Sequence, residues 1–144
     1  MRVFIEAERG SDTRYRYDEA ILRLEGSRKL RAAYPYAYGF VLGSGAAGEE
    51  CLDCFVVSER RLEAGSEVEC EAVDVFMLEE GEEREAKLIG AVAGEAAAWG
   101  SGAMRSIAAF LEEVFKDWPE VEIRVGDPLG REEALRLLVG RLGS

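Results

Sequence analysis

The chain has 144 residues, close to the commonest size of one domain, and 48% of them are hydrophobic, enough for a packed core. Its net charge of −11 speaks against free nucleic acid as a partner, because phosphate-backbone binding needs a basic field. With no histidine, a Ser-His-Asp triad, a Cys-His dyad and a His-ligated zinc are excluded, so acid–base or metal chemistry has to run on carboxylates, supported by Lys, Arg, Tyr or Cys.

Met1-Arg2 runs directly into Val3-Phe4-Ile5, too short an apolar run for a secretory signal, and no apolar stretch approaches a membrane span. Cys51, Cys54 and Cys70, an odd number, read as buried thiols of a reducing, cytoplasmic compartment. Residues 3–8 alternate with period two, Val3, Ile5 and Ala7 against Phe4, Glu6 and Glu8, and predict a strand. After the turn Gly10-Ser11-Asp12, Arg14 to Tyr17 alternates again. Ile21 to Leu24 reads as a short strand, and Gly26-Ser27 as a break. Tyr34 to Leu42 is aromatic-rich, and Cys51 to Val57 is a compact apolar strand. Between Ser66 and Met77 the apolar set switches from Val68, Cys70 and Ala72 to Val73, Val75 and Met77, which a β-bulge would produce. A charged hairpin tip around Gly81 leads into a return strand, Glu85 to Val92.

Beyond Gly94 the period changes. Met104, Ile107, Ala108, Leu111, Val114, Phe115 and Trp118 follow helical spacing, with Ser101 as N-cap and Pro119 as stop. A short strand, Val121 to Val125, precedes a second helix with Leu135, Leu138, Val139 and Leu142 on one stripe. Strands first and helices last predict an α+β fold: one domain over residues 1–144, a closed or nearly closed small barrel over about 1–92, and a helical part over about 101–144.

Several polar residues sit where packing alone would not put them. Glu6 lies mid-strand beside Phe4, and Asp53 interrupts the run Cys51-Leu52-Asp53-Cys54-Phe55-Val56-Val57. A lone carboxylate there calls for a cation or donor opposite, or for an edge strand facing water; the two readings stand side by side. For Asp74 the solvated reading is the stronger. Glu85 and Lys87 project from one strand face, either into a shared cavity or, the reading that spacing alone favours, as a surface pair beside a charged turn. Cys51 and Cys54, three apart on a strand, point to opposite faces, which argues against a redox or zinc pair. The alternating aromatics of Tyr34-Pro35-Tyr36-Ala37-Tyr38-Gly39-Phe40 suit barrel filling, or tyrosyl hydroxyls reaching an oxyanion.

Taken in order, Ile5-Glu6, Arg14-Tyr15, Tyr34-Pro35-Tyr36-Ala37-Tyr38-Gly39-Phe40, Glu50-Cys51-Leu52-Asp53-Cys54-Phe55-Val56, Glu85-Ala86-Lys87-Leu88 and Phe115-Lys116-Asp117 resemble the family I soluble inorganic pyrophosphatases over nearly the whole chain. The resemblance implies a five-stranded OB-like barrel with two C-terminal helices packed on it. It implies Mg²⁺-dependent hydrolysis of pyrophosphate or another small diphosphate, with Mn²⁺ or Zn²⁺ as alternatives, in a cytoplasmic homo-oligomer. The family's Asp-x-Asp-Pro-x-Asp strand falls on Gly48, Glu50, Cys51 and Asp53. Glu50 then orients or deprotonates the attacking water, Asp53 bridges metals, and Glu6, Glu80 and Glu85 complete the metal set. Arg14, Tyr38, Lys87 and Lys116 hold phosphate oxygens, with Lys87 also catalytic. Either Arg23 or Arg28 takes the place of a further family arginine. The departures are Gly48 for one Asp, Glu for Asp at 50, 80 and 85, and Phe115 for a Tyr. Glu reaches about 1.5 Å further than Asp, and misplacement by about 1 Å can cost roughly a hundredfold in rate. The alternative reading is a non-catalytic homologue that binds phosphate compounds, metal or a protein.

Overall fold

The period-two segments pair into strands, and the strands roll up because their apolar residues face both ways. In the computed structural model, which describes residues 1–45 and 49–142, the strands are β1 (Arg2–Ala7), β2 (Thr13–Tyr17), β3 (Leu24–Lys29), β4 (Ala37–Val41), β5 (Asp53–Val57), β6 (Glu67–Glu80), β7 (Glu83–Val92) and β8 (Ile123–Val125); the helices are α1 (Ser101–Val114) and α2 (Arg131–Leu142). The sheet order is β1-β4-β5-β7-β6, and β1 pairs back onto β6, closing a ring of five strands. β8 extends β6 outward, and β2 and β3 form a separate two-stranded hairpin. The α+β class and the five-strand ring with two helices agree with the sequence reading.

Two clusters fill the two faces of the strands. Val3, Ile5, Val41, Cys54, Val56, Val75 and Leu88 form one, with α2 contributing Ala134. Tyr34, Tyr38, Phe55, Phe76, Leu78 and Ile89 form the other, with Ile107, Phe110, Leu111 and Val114 of α1. Fully burying side chains of this size contributes about 1.5–3 kcal/mol each. Two bulges set the directions of polar side chains. The β6 bulge falls between Ala72 and Asp74, where the sequence pattern switches face. A second lies between Ile5 and Ala7 of β1, leaving Glu6 as the extra residue. Gly39 serves this close approach, because a Cβ there would lie 1.8 Å from the Phe4 carbonyl oxygen.

Several expectations are corrected. Residues 18–22 form a turn instead of a strand: the Asp18 carboxylate accepts from the Ala20 and Ile21 amides, and Leu22 adopts φ 55°. Gly26-Ser27 lies inside β3, because exposed hairpin strands tolerate residues that pack nothing. The N-cap of α1 is Gly100, not Ser101, and the helix tightens into a 3-10 turn at Phe115–Asp117 before Pro119. Cys51 precedes β5 instead of opening it. All three cysteines are unpaired. Asp74 is buried and fully used, accepting from the Val75 and Gly130 amides and from Trp99 Nε1, each at 2.8 Å. The buried stripe of α2 is shifted as well: Ala134 is fully buried with Leu137 and Leu138 against the sheet, while Leu135, Val139 and Leu142 are exposed. A residue as small as Ala134 lets the helix approach β6 closely, with Leu137 and Leu138 beside it on the inner face and Leu135, Val139 and Leu142 on the outer one. Gly48 lies outside the described residues.

Candidate active site

Lys87 is the centre of the polar cluster. β5 and β7 run parallel with Asp53 in register with Lys87, and Tyr38 is one strand further on, opposite Phe55. The Lys87 ammonium, on a buried residue, donates to Asp53 Oδ2 at 2.7 Å and to the Tyr38 hydroxyl at 2.9 Å, and lies 3.2 Å from Glu85 Oε2. Burial alone would favour the neutral amine. Tyr38 and Asp53 outweigh it and hold Lys87 well above the ordinary lysine range. Burial also pushes the Tyr38 phenol up, so its hydroxyl stays protonated and can donate onward while accepting from Lys87. Tyr34 stacks on Tyr38 at 5.6 Å and is pushed by burial up to about 12.

Glu6, turned by its bulge, is 3% exposed. Burial raises its carboxyl and the Arg14 guanidinium at 3.3 Å works the other way. Arg14 Nη2 donates to Glu6, and its Cζ lies 5.4 Å from the Tyr38 ring centroid. Arg14 Nε is the buried side-chain nitrogen left without a hydrogen-bond partner among the described residues. An orphaned cationic N–H costs free energy unless an acceptor comes to it, and an anion would supply one.

These groups line one cleft of about 750 Å³ between the ring, the β2–β3 hairpin and α1. Glu6, Arg14, Tyr38, Glu50, Asp53, Glu80, Glu85 and Lys87 all reach it. Lys116 does not line it; its ammonium is turned outward and bonds Glu113 at 2.7 Å. Of the two candidate arginines, Arg28 lines the cleft and Arg23 does not. Sequence reasoning missed the hairpin's share, Arg16, Asp18, Glu19 and Glu25, and the role of Glu19, which accepts from the Cys51 amide at 2.9 Å and ties the hairpin turn to the segment carrying Glu50. It also missed Trp118, whose helical spacing reads as core. Strand alternation alone gives no sign of a hairpin that leaves the ring.

Carboxylates outnumber cations two to one along the cleft. Burial raises the Glu80 carboxyl, and Glu85 adds to the effect, the signature of anions held close without enough positive charge between them. Among the described residues no three Cys, Asp or Glu side chains are gathered at ligand spacing. An all-oxygen donor set nevertheless fits a hard cation such as Mg²⁺, which keeps several waters and takes only one or two carboxylates directly.

The molecule is thus a five-strand ring carrying a carboxylate-rich cleft, a buried lysine and an arginine whose Nε has no acceptor among the described residues. A profile of the inorganic pyrophosphatases matches residues 3–134, and the chain belongs to that family. The inorganic pyrophosphatase of Nanoarchaeum equitans is 27% identical over 94% of this chain and 91% of its own length. That of Sulfolobus acidocaldarius is 26% identical over 62% of this chain, and there the chain spans about half of the relative, 53%. The crystal structure of inorganic pyrophosphatase from Thermus thermophilus superimposes with a TM-score of 0.86 at 26% identity, over 99% of this chain and 89% of that one.

Proposed function

We propose that this protein hydrolyses inorganic pyrophosphate to two orthophosphates. The observation that carries the reading is the buried Lys87 ammonium clamped by Asp53 and Tyr38 in the same cleft as the unpartnered Arg14 Nε. Arg14 Nε donates to a phosphate oxygen, Lys87 neutralises charge as it gathers on the leaving phosphate, and the Tyr38 hydroxyl donates to a second oxygen. Glu50, at the cleft mouth, holds the attacking water and takes its proton. The water oxygen bonds one phosphorus, the bridging P–O bond breaks, and the bridging oxygen leaves with the other phosphate. Asp53, Glu80 and Glu85, with Glu6 behind Arg14, would hold Mg²⁺, with Mn²⁺ or Zn²⁺ as alternatives. A divalent cation bound there supplies a water of lowered pKa and screens the charge of the substrate. Lys116 is the weakest member of the proposed set, because its ammonium is already bonded to Glu113 outside the cleft.

The unpaired thiols support a cytoplasmic setting. The exposed Leu135, Val139 and Leu142 of α2 support a homo-oligomer of chains that each act as one domain, and sedimentation at the mass of a single chain would remove that part. The second reading, a non-catalytic homologue, is favoured by the ring without a hydroxyl at Phe115 and the outward Lys116. Phosphate release from pyrophosphate with Mg²⁺, Mn²⁺, Zn²⁺ and no metal separates the two. Metal-dependent turnover supports the hydrolase, and binding of pyrophosphate without turnover supports the binder.

A further inference from the structure

The cleft is larger than its reactive cluster, and one wall has no part in cleaving a small inorganic anion. About 750 Å³ lies within the range that houses organic ligands. Phe110 of α1 and Phe115 and Trp118 beyond it form an apolar wall. The ring centroids of Phe115 and Trp118 lie 5.9 Å apart with their planes tilted by 55°, and both residues remain partly accessible. Arg14 and Arg28 join this wall to the cluster. They are direct partners across the β2–β3 hairpin, so they project from one face with Cβ atoms about 5 Å apart. Arg14 stands beside Glu6 and Tyr38, while the Arg28 guanidinium lies 4.1 Å from the Trp118 ring centroid. Two cations thus lead from Lys87's neighbourhood to an aromatic shelf.

We propose that the cleft accepts a diphosphate ester bearing a planar ring, of the nucleoside diphosphate class, its ring stacked on Trp118 in the place the Arg28 guanidinium takes in the free cleft, with Phe115 at its edge, and its diphosphate between Arg28 and Arg14. The inference rests on the pyrophosphate reading for its chemistry and adds the organic group. The ester contains the same P–O–P linkage. The water oxygen bonds the terminal phosphorus, the bridging bond to that phosphorus breaks, and the bridging oxygen leaves with the nucleoside monophosphate. One water proton stays on the new orthophosphate and the other passes through Glu50 to solvent or product. Stacking of a base on an aromatic side chain corresponds to roughly 5- to 150-fold in affinity.

The test compares ADP with methyl diphosphate, which has no ring, by calorimetric titration and by product analysis. Native protein, Trp118→Ala and Trp118→Phe are each measured. The expected result is ADP binding at least tenfold tighter than methyl diphosphate in native protein, a preference lost in Trp118→Ala and kept in Trp118→Phe, with AMP and orthophosphate released. Equal binding of the two by native protein, or a preference that survives in Trp118→Ala, overturns the ring site. ADP bound but never cleaved overturns the substrate assignment. Pyrophosphate turnover without ring preference defeats this inference alone, whereas ring preference in a protein that cleaves no pyrophosphate defeats the hydrolase reading alone.

Discussion

Asp53 and Lys87 depend on each other. The lysine is buried, and its charge persists because a carboxylate and a phenol oxygen meet it at hydrogen-bond distance. In the proposed mechanism Asp53 also faces the metal. Asp53→Asn should therefore lower Mg²⁺-dependent kcat/KM at least a hundredfold and weaken Mg²⁺ binding. It should cost less than about 3 kcal/mol of stability, because Glu85 and Tyr38 still hold the ammonium. Steady-state rates with calorimetric Mg²⁺ titration check this, and unchanged turnover would place the chemistry elsewhere. A second prediction concerns Gly48 and Glu50. Gly48→Asp with Glu50→Asp should raise pyrophosphate hydrolysis above either single change, since by the family resemblance the first returns a metal ligand and the second draws the base back by one methylene toward the water. A folded double variant with no gain would contradict it. Cys70 supplies a test by pH. Burial pushes its thiol from 9.0 up to about 12, so the folded state resists ionisation that the unfolded chain allows. Stability from this group is full below pH 9 and is lost as pH rises toward 12. Tm should fall above pH 9, and Cys70→Ala should flatten that fall; parallel curves would refute the assignment.

At the scale of elements, two bulges and one carboxylate organise the molecule. The β1 bulge aims Glu6 at the cleft, and the β6 bulge brings Asp74 under the start of α2. Asp74 fastens β6, α2 and the turn carrying Trp99 through three hydrogen bonds. Asp74→Ala should cost about 3 kcal/mol, read by denaturant unfolding, and a loss under about 1 kcal/mol would mean that water replaces it. The β6 bulge was legible because Val68, Cys70 and Ala72 alternate with Glu67, Glu69 and Glu71 before it, so a one-residue slip shows as a switch of the apolar face to Val73, Val75 and Met77. The β1 bulge was not, since one extra residue among Phe4, Ile5, Glu6 and Ala7 leaves no break in so short a strand. The β2–β3 hairpin misled for a related reason. Its second strand, β3, is exposed throughout, so no alternation marks where it starts, and the Asp18 side chain makes the turn before it. On α2 the leucines announce a stripe, yet the buried line is set by the smaller Ala134, which permits closer packing than Leu does.

Across the whole molecule, the class and the site were unequally readable. Strands followed by helices announced the α+β ring, and Glu6, Arg14, Tyr38, Glu50, Asp53, Glu80, Glu85 and Lys87, carried by the family resemblance, do converge on one cleft. Lys116 does not, because a helical residue's direction depends on where the helix tightens, and α1 tightens at Phe115. Arg28 was named beside Arg23 in the sequence, but its meeting with Trp118 was hidden because it joins residues 90 positions apart through a hairpin that the ring does not contain. The chain's net charge of −11 gathers partly as cleft carboxylates, so binding of an anionic substrate should depend on divalent cation far more than on ionic strength. The central claim is hydrolysis in that cleft. The most direct measurement is orthophosphate release from pyrophosphate by the native protein, with Mg²⁺ and with chelator, beside Asp53→Asn. Release with Mg²⁺ that chelation abolishes and Asp53→Asn reduces at least a hundredfold is the expected result; a folded native protein that binds Mg²⁺ and pyrophosphate yet releases no orthophosphate would overturn the hydrolase reading.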